Sequence, residues 1–191
     1  AATAIAAIGI GSVQSFMALE RGLREVNTLF GLSGEAAQAS FQEINTGVRE
    51  LSQRLGVDAV ESTKALYQAI SAGVPRENAL NFLEIASKAA IGGVTDTKTA
   101  VDGLSTVINA FKLPMSDAQR VADVMFTTVK LGKTTFEELS RSMFQVAPLA
   151  SSAGLSFEET AAAIAALTQQ GVPTAESMTR VRDAIQAIIK P

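Results

Sequence analysis

The sequence predicts an all-α protein, a multi-helix bundle of about nine short helices, and three observations carry this prediction. Apolar residues recur at spacings of three and four along most of the chain, which is the period of one helix face. Residues suited to helix N-caps and C-terminal stops separate these stretches. A pattern that occurs twice indicates an internal two-fold repeat.

The repeated pattern is a glycine, an apolar residue, a capping residue, an acidic residue three positions later, an alanine-rich helix and a closing Gly-Val-Pro. The predicted structural repeat residues are Gly56, Gly73 and Pro75 in the first copy and Gly154, Gly171 and Pro173 in the second. We expect the half-repeats, about 35–91 and 116–190, to superpose. The glycines should end helices, and the prolines should lie near the next helix start.

In chain order, the predicted helices lie near 13–30, 35–54, 58–72, 76–90, 96–111, 116–131, 135–152, 156–170 and 174–189. Apolar stripes support the first, second, fifth, seventh and ninth, for example Phe16, Leu19, Leu23, Val26 and Phe30 in the first. Ser33 and Asp96 are plain N-cap candidates for the second and fifth. Capping boxes are predicted for the third, sixth, seventh and eighth at Asp58 with Glu61, Ser116 with Gln119, Thr135 with Glu138, and Ser156 with Glu159.

Glycine and proline residues predict where each helix ends and where the next helix begins. Pro75, Pro114 and Pro173 are placed where a helix ends or begins again. The predicted C-terminal stops are Gly31, Gly56, Gly73, Gly132, Gly154 and Gly171. The sequence has no sustained alternation of polar and apolar residues, which is the signature of a strand.

Composition excludes several classes of function. The 191 residues carry a net charge of −3, so nothing supplies the clustered positive charge that direct or sequence-specific nucleic-acid binding needs. The chain has no cysteine and no histidine, which excludes disulfides, thiolate and imidazole catalysis, and the usual zinc sites. No set of residues assembles a nucleophile, a base and an oxyanion donor, so we predict no enzyme, no catalytic residues, no metal and no cofactor.

The low content of charged residues suggests that other subunits, or the rest of a longer protein, cover part of the surface. Charged residues make up 18% and hydrophobic residues 47%, against about 25% charged in ordinary soluble domains. We therefore expect self-association, and a chain that is part of a longer protein. Residues 1–15 are predicted as a separate charge-free segment ahead of a helical domain at 16–191. Membrane contact by residues 1–19 is an alternative to a small-residue helix packed on a neighbour.

Two further motifs are interpreted structurally. The acid pairs Glu137-Glu138 and Glu158-Glu159 lie in first helical turns, where negative charge complements the helix dipole. The small-residue row Ala65, Ala69 and Gly73 is interpreted as close packing inside a bundle rather than as a membrane association motif.

The ordered set of motifs resembles the core region of phage tail tape measure proteins, from about Phe16 to Ile189. The matching stretches are Leu51 to Val57 leading to Ala72-Gly73-Val74, Ala86 to Ala90, Thr97 to Leu104, Val107 to Phe111, Ala122 to Val124, Gly132 to Thr135, Val146 to Ala150, and Ala153 to Ser156. The resemblance loosens after Gly171, where Val172-Pro173-Thr174 replaces a more open turn.

The resemblance implies a structural virion protein that functions in tail assembly, length determination and genome ejection through the tail tube. It implies the tail tube, the tail tip or baseplate and tail assembly chaperones as partners. The implied location is the tube lumen or tail tip, and the host cytoplasm during assembly. The alternatives are a membrane-active helical module that forms or inserts a channel at the host membrane, and a helical adaptor domain.

The frequent glycine and proline residues indicate that different regions of such a protein have different roles. A single helix of this length would span on the order of 290 Å, because a helix rises about 1.5 Å per residue. Glycine or proline interrupts this chain every fifteen to twenty residues. We therefore expect tail length to be set by uninterrupted helices elsewhere, with this region serving assembly, the tail tip or release.

Overall fold

The computed structural model describes the backbone of residues 2–189 and the side chains of residues 13–189. Its α-helices are α1 (Ala2–Thr28), α2 (Gly34–Leu55), α3 (Ala59–Ser71), α4 (Arg76–Gly92), α5 (Thr97–Ala110), α6 (Ala118–Leu131), α7 (Phe136–Ser142), α8 (Ala147–Ser152), α9 (Phe157–Gln169) and α10 (Thr174–Ile189). Short 3-10 helices occur at Met115–Asp117 and Met143–Gln145. Residues 2–189 contain no strand, and the prediction of an all-α protein is confirmed.

The chain divides into two compact units, residues 1–83 and 84–191, and the division falls inside α4. Helix α1 runs without a break through the boundary predicted at residue 15. Within the described residues, no helix combines the length and the apolar character needed to cross a bilayer.

The first unit is built on three mutually packed helices, since α1 contacts both α2 and α3, and α2 contacts α3. Its core contains Leu23 and Val26 from α1, Val48 from α2 and Leu66 from α3, all of which are buried. Gly22 allows α1 to approach α3 closely, because a Cβ at this position would lie 2.9 Å from the Thr63 methyl carbon.

The second unit is built around α5, which packs against α6, α7 and α8. Apolar Val101, Leu104, Val107 and Ile108 are buried on this helix. Gly103 is buried as well, so α5 is enclosed on most of its faces. Helix α9 lies against α6, α8 and α10, and α10 also contacts α7 and α8.

Aromatic contacts join several helices of the second unit. The rings of Phe111 and Phe157 are 5.7 Å apart between centroids, and those of Phe126 and Phe136 are 4.9 Å apart. Both pairs are tilted, which is a favourable arrangement for aromatic side chains.

Two local predictions are wrong. The single helix expected at 135–152 is divided into α7, a 3-10 turn and α8, because Pro148 has no amide to donate and its ring crowds the carbonyl four residues earlier. Ser116 lies within the 3-10 helix and Asp117 precedes α6 without a side-chain cap, so the box with Gln119 is absent. Ser33 is the N-cap of α2, as predicted, although its side chain makes no capping hydrogen bond.

Gly132 follows α6 as predicted, but it does so in an extended conformation rather than a left-handed one. A Cβ at this position would lie 2.4 Å from the Thr168 hydroxyl oxygen and 3.2 Å from the Ala165 Cα. The small size of this residue therefore allows the chain to pass close to α9.

Candidate functional sites

The first Gly-Val-Pro sequence forms a Schellman turn at the end of α3. Gly73 has left-handed backbone, with φ 93°. Its amide donates to the carbonyl of Ile70 at 2.9 Å, and the Val74 amide donates to the carbonyl of Ala69 at 3.1 Å. Helix α4 begins immediately after Pro75.

The second Gly-Val-Pro sequence forms the same turn at the end of α9. Gly171 has φ 91°, its amide donates to Thr168 at 2.9 Å, and the Val172 amide donates to Leu167 at 3.2 Å. Helix α10 begins immediately after Pro173. The two turns thus share their backbone handedness and their hydrogen bonds.

The glycines that open the two copies also have left-handed backbone, with φ 68° at Gly56 and φ 81° at Gly154. The Leu155 amide closes the turn at Gly154 by donating to the carbonyl of Ala150 at 3.0 Å. These local matches support the predicted repeat, while the superposition of the complete halves stays a prediction.

The helix caps differ between the copies. The capping box predicted at Asp58 with Glu61 forms only in part. Asp58 accepts a hydrogen bond from the Glu61 amide at 2.9 Å, but Glu61 binds Lys64 instead of returning to the cap. Ser156 and Glu159 form a complete capping box, with bonds of 3.1 Å and 2.8 Å. Hydrogen bonds from the backbone amide and the hydroxyl of Ser156 lower the pKa of Glu159.

All four residues of the acid pairs have structural partners. Glu137 pairs with Arg141 at 2.8 Å, and Glu158 pairs with Arg120. Their neighbours Glu138 and Glu159 belong to capping boxes. Among the described residues, no group of three histidine, cysteine, aspartate or glutamate residues has the arrangement of a metal site.

A polar cluster that sequence reasoning missed joins the N-termini of α7 and α10. Glu138 accepts hydrogen bonds from the Thr135 amide and the Thr174 hydroxyl, both at 3.1 Å. The hydroxyls of Thr134 and Thr174 lie 2.7 Å apart. The capping box of α7 was predicted, but a contact across 36 positions leaves no periodic signal in the sequence.

Two turns of the second unit have left-handed backbone without glycine. Val94 follows α4 with φ 52°, and Lys112 follows α5 with φ 53°. A β-branched residue rarely adopts this conformation, because its Cβ crowds the backbone. The Val94 amide donates to Ile91 at 3.4 Å, which is longer than the 2.9 Å bonds of Gly73 and Gly171.

An open groove of about 430 Å³ lies beside Val94. We call it the 92–94 groove, and its lining consists of Gly92, Gly93, Val94, Phe126, Val129, Thr134, Thr135, Phe136 and Glu137. A Cβ on Gly93 would lie 2.6 Å from the Phe136 Cβ, so only glycine permits this approach of the turn to α7.

A second exposed apolar surface lies on α1. Val13, Phe16 and Met17 are each more than half exposed, whereas Leu19, two residues further along the helix, is buried. The Arg49 guanidinium lies 5.7 Å from the centre of the Phe16 ring. We call Val13, Phe16 and Met17 the α1 face.

Comparison with known proteins identifies related phage proteins. Residues 45–191 match the family model described as phage-related minor tail protein. The chain is 33% identical over 165 residues to the probable tape measure protein of Clostridium phage phiCD119, covering 83% of this chain and 17% of that protein. It is 26% identical over 168 residues to the tape measure protein of Pneumococcus phage Dp-1, covering 87% of this chain and 14% of that protein. No solved structure matches the chain.

The class defined by the fold and these matches is a helical structural protein of a phage tail. The chain belongs to the phage tail tape measure protein family, which confirms the resemblance seen in the sequence. It spans about one sixth of the length of the curated relatives it matches.

Proposed function

We propose that this chain is a folded helical region of a tape measure protein that serves tail assembly and genome ejection, while longer helices elsewhere set tail length. Its place is the lumen of the tail tube or the tail tip, after assembly in the host cytoplasm. Its partners are the tube, the tip or baseplate, and tail assembly chaperones. It carries no catalytic residue and acts through folding and contact.

The observation that carries this proposal is that the helices fold back on one another. The longest helix, α1, has 27 residues, which is about 40 Å at 1.5 Å per residue. Contacts of α1 with α3 in the first unit, and of α6 with α9 in the second, bring distant parts of the chain together. A segment folded in this way adds far less length than an uninterrupted helix of equal residue number.

Two substitutions in the phage gene, neither of which changes the number of residues, test whether tail assembly and infectivity need the folded state. Ile164→Asp inserts a carboxylate into the core on α9, where Ile164 is fully buried. An unpaired buried charge costs several kcal/mol, enough to unfold a domain of ordinary stability. Ala162→Asp adds the same carboxylate to the same helix at an exposed position and is the matched control.

We expect Ile164→Asp to abolish infectivity or tail assembly and Ala162→Asp to leave both near the parental level. Electron microscopy of tails and plaque counts provide the two readouts. Normal tails and full infectivity with Ile164→Asp, once circular dichroism has established that the variant is unfolded, would show that only residue number matters and would refute the proposal.

A further inference from the structure

Val94 destabilises its own turn without an evident gain for the fold. The turn has the hydrogen bonds of the Gly73 turn, since the Thr95 amide donates to the carbonyl of Ala90 at 2.9 Å. Left-handed backbone disfavours a residue with a Cβ by about tenfold relative to the right-handed form. The Val94 side chain is 89% exposed, so it buries almost no apolar surface in return. A contact outside the chain's own fold would explain a valine at this position.

The 92–94 groove beside Val94 has an apolar lining. Phe126, Val129 and Phe136 supply most of its apolar surface. The groove is open to solvent and has a volume of about 430 Å³. A concave apolar surface of this kind suits an apolar side chain that projects from a partner.

Two lysines without a carboxylate partner flank the groove. Lys130 lies one turn after Phe126 on α6, about 40° round the helix from it. Lys133 directly precedes Thr134, which also lines the groove. Both lysines are exposed, and neither forms an ion pair among the described residues. Lys130 complements the dipole of α6 in its last turn, but Lys133 lies beyond the end of that helix.

The two carboxylates next to the groove already have partners of their own. Glu137 pairs with Arg141 at 2.8 Å. Glu138 accepts hydrogen bonds from the Thr135 amide and the Thr174 hydroxyl, both at 3.1 Å. The positive charge of the two flanking lysines is therefore left for a partner. A partner that brings carboxylates gains charge complementarity, whereas one that brings cations meets like charge.

We propose that the 92–94 groove binds an acidic peptide segment of a partner protein. The segment inserts an apolar side chain against Val94 and places carboxylates at Lys130 and Lys133. The Cα atoms of these lysines are at most about 11 Å apart, so one short segment reaches both. Electrostatic binding to an anionic membrane uses clusters of about four to eight basic residues, which favours the peptide. The inference stands independently of the proposed role in tail assembly.

A pair of synthetic peptides tests the charge requirement on the full chain in solution. The probe is a short, dye-labelled helical peptide with leucines on one face and glutamates on both sides of them. Its control has glutamine in place of every glutamate, and fluorescence anisotropy measures the Kd of each. We expect the acidic peptide to bind about fivefold more tightly at low ionic strength. This preference should shrink as added salt screens the charges.

Equal affinities for the two peptides overturn the proposal. Vesicles that contain phosphatidylserine provide the comparison with a membrane. Binding of the chain to these vesicles, without binding to the acidic peptide, also overturns the proposal.

Two substitutions with the same change of charge locate the contact. Lys133→Glu should abolish the preference for the acidic peptide. Lys112→Glu is the matched control and should keep it, because Lys112 is also exposed and without an ion pair among the described residues. Lys112 follows the far end of α5, a helix about 20 Å long that begins just after Val94. Equal losses in the two variants would show a general effect of net charge and overturn the proposal.

Val94→Gly provides a measurement that a poorly folded variant cannot mimic. Removing the side chain relieves the backbone strain, so the unfolding equilibrium constant should fall about threefold and the melting temperature should rise. The same substitution should raise the Kd of the acidic peptide about fivefold, since it removes apolar surface from the contact. Met17→Ala on the α1 face is the control, because Met17 is also more than half exposed. An unchanged Kd with Val94→Gly, or an equal rise with Met17→Ala, overturns the proposal.

Discussion

At the scale of single residues, glycine and serine determine how closely helices approach in this protein. Gly103 on α5 faces Ser140 on α7, where a Cβ would lie 2.4 Å from the serine hydroxyl oxygen and 2.8 Å from its Cα. The Ser140 hydroxyl is buried and has no hydrogen-bond partner. A buried hydroxyl without a partner is unfavourable, so serine is present here for its small size rather than for its polarity.

Gly103→Ala should therefore lower the free energy of unfolding by about 1–3 kcal/mol, although alanine favours a helix more than glycine does. Ser140→Ala should be neutral or stabilising, because it removes a buried hydroxyl without a partner. Urea denaturation of both variants measures these effects. The double variant should remain destabilised, since the Ser140 Cα still obstructs the new methyl group; full recovery would show that the hydroxyl alone set the distance.

The stability that the Asp96 cap contributes to the fold depends on pH. Partial burial raises the pKa of Asp96, but hydrogen bonds from the Thr99 amide at 2.7 Å and the Thr99 hydroxyl at 2.8 Å outweigh it and bring the pKa below its usual value. A lowered folded-state pKa means that the cap stabilises the protein above the unfolded-state pKa. That stability is lost as the pH falls through the folded-state pKa.

We expect Asp96→Asn to cost under about 1 kcal/mol at neutral pH, since asparagine is also a good N-cap. The difference from the parent should disappear in acid. Urea midpoints measured from neutral pH down to about pH 2.5 test this, with Asp183→Asn on the exposed surface of α10 as the control. A difference that grows as the pH falls would contradict the sign derived from the cap.

At the scale of secondary-structure elements, turn chemistry decides where the helices end. The turns at Gly73 and Gly171 share left-handed backbone and the same two hydrogen bonds. A Cβ on either glycine would meet nothing within 4 Å, so substitution there changes only the backbone preference. Substitution at these two positions therefore measures only the cost of placing a residue with a Cβ in left-handed backbone.

Gly73→Ala and Gly171→Ala should each cost about 1 kcal/mol, and the two costs should agree within about 0.5 kcal/mol if the turns are equivalent parts of a repeat. Chemical denaturation of each variant measures the free energy of unfolding. Clearly unequal costs would indicate that the likeness of the turns does not extend to their energetics.

The stretch 135–152, predicted as one helix, consists of α7, a 3-10 helix and α8. Met143, Val146 and Ala147 are all buried around the break, so the irregular stretch is part of the core. Apolar spacing continues through it, and that continuity led to the prediction of one helix. Pro148 was the available signal for a break, because proline interrupts the hydrogen bonds of a helix interior.

At the scale of the whole molecule, the proposed division between folded region and ruler predicts the effect of an internal deletion. Removing residues 56–90 in frame deletes α3 and most of α4, and these residues would span about 50 Å as a continuous helix. We expect loss of tail assembly or infectivity rather than shorter tails, because the deletion removes core residues such as Leu66 and Phe82. Electron microscopy shows whether tails assemble and measures their length.

Viable phage with tails about 50 Å shorter would place this region within the ruler. A deletion of equal size in a long uninterrupted helix elsewhere in the protein is the control, and it should shorten the tail in proportion. Together with the Ile164→Asp and Ala162→Asp pair, this experiment separates the need for a folded state from the need for a given number of residues.

The sequence by itself determined the all-α class, most helix boundaries and the family, because these depend on local signals. Apolar spacing, capping pairs such as Ser156 with Glu159, and left-handed glycines such as Gly171 act within a few residues of one another. The composition also excluded the chemistry of cysteine and histidine.

Only the tertiary structure decided which residues meet across long separations. It brought Glu138 to Thr174, placed Ser140 against Gly103, and left Val94 exposed in a strained turn beside the groove. It also used Gly132 for close approach rather than for a left-handed turn. These features arise from the packing of helices that are distant in the chain, and local periodicity carries no information about which side chains such packing brings together.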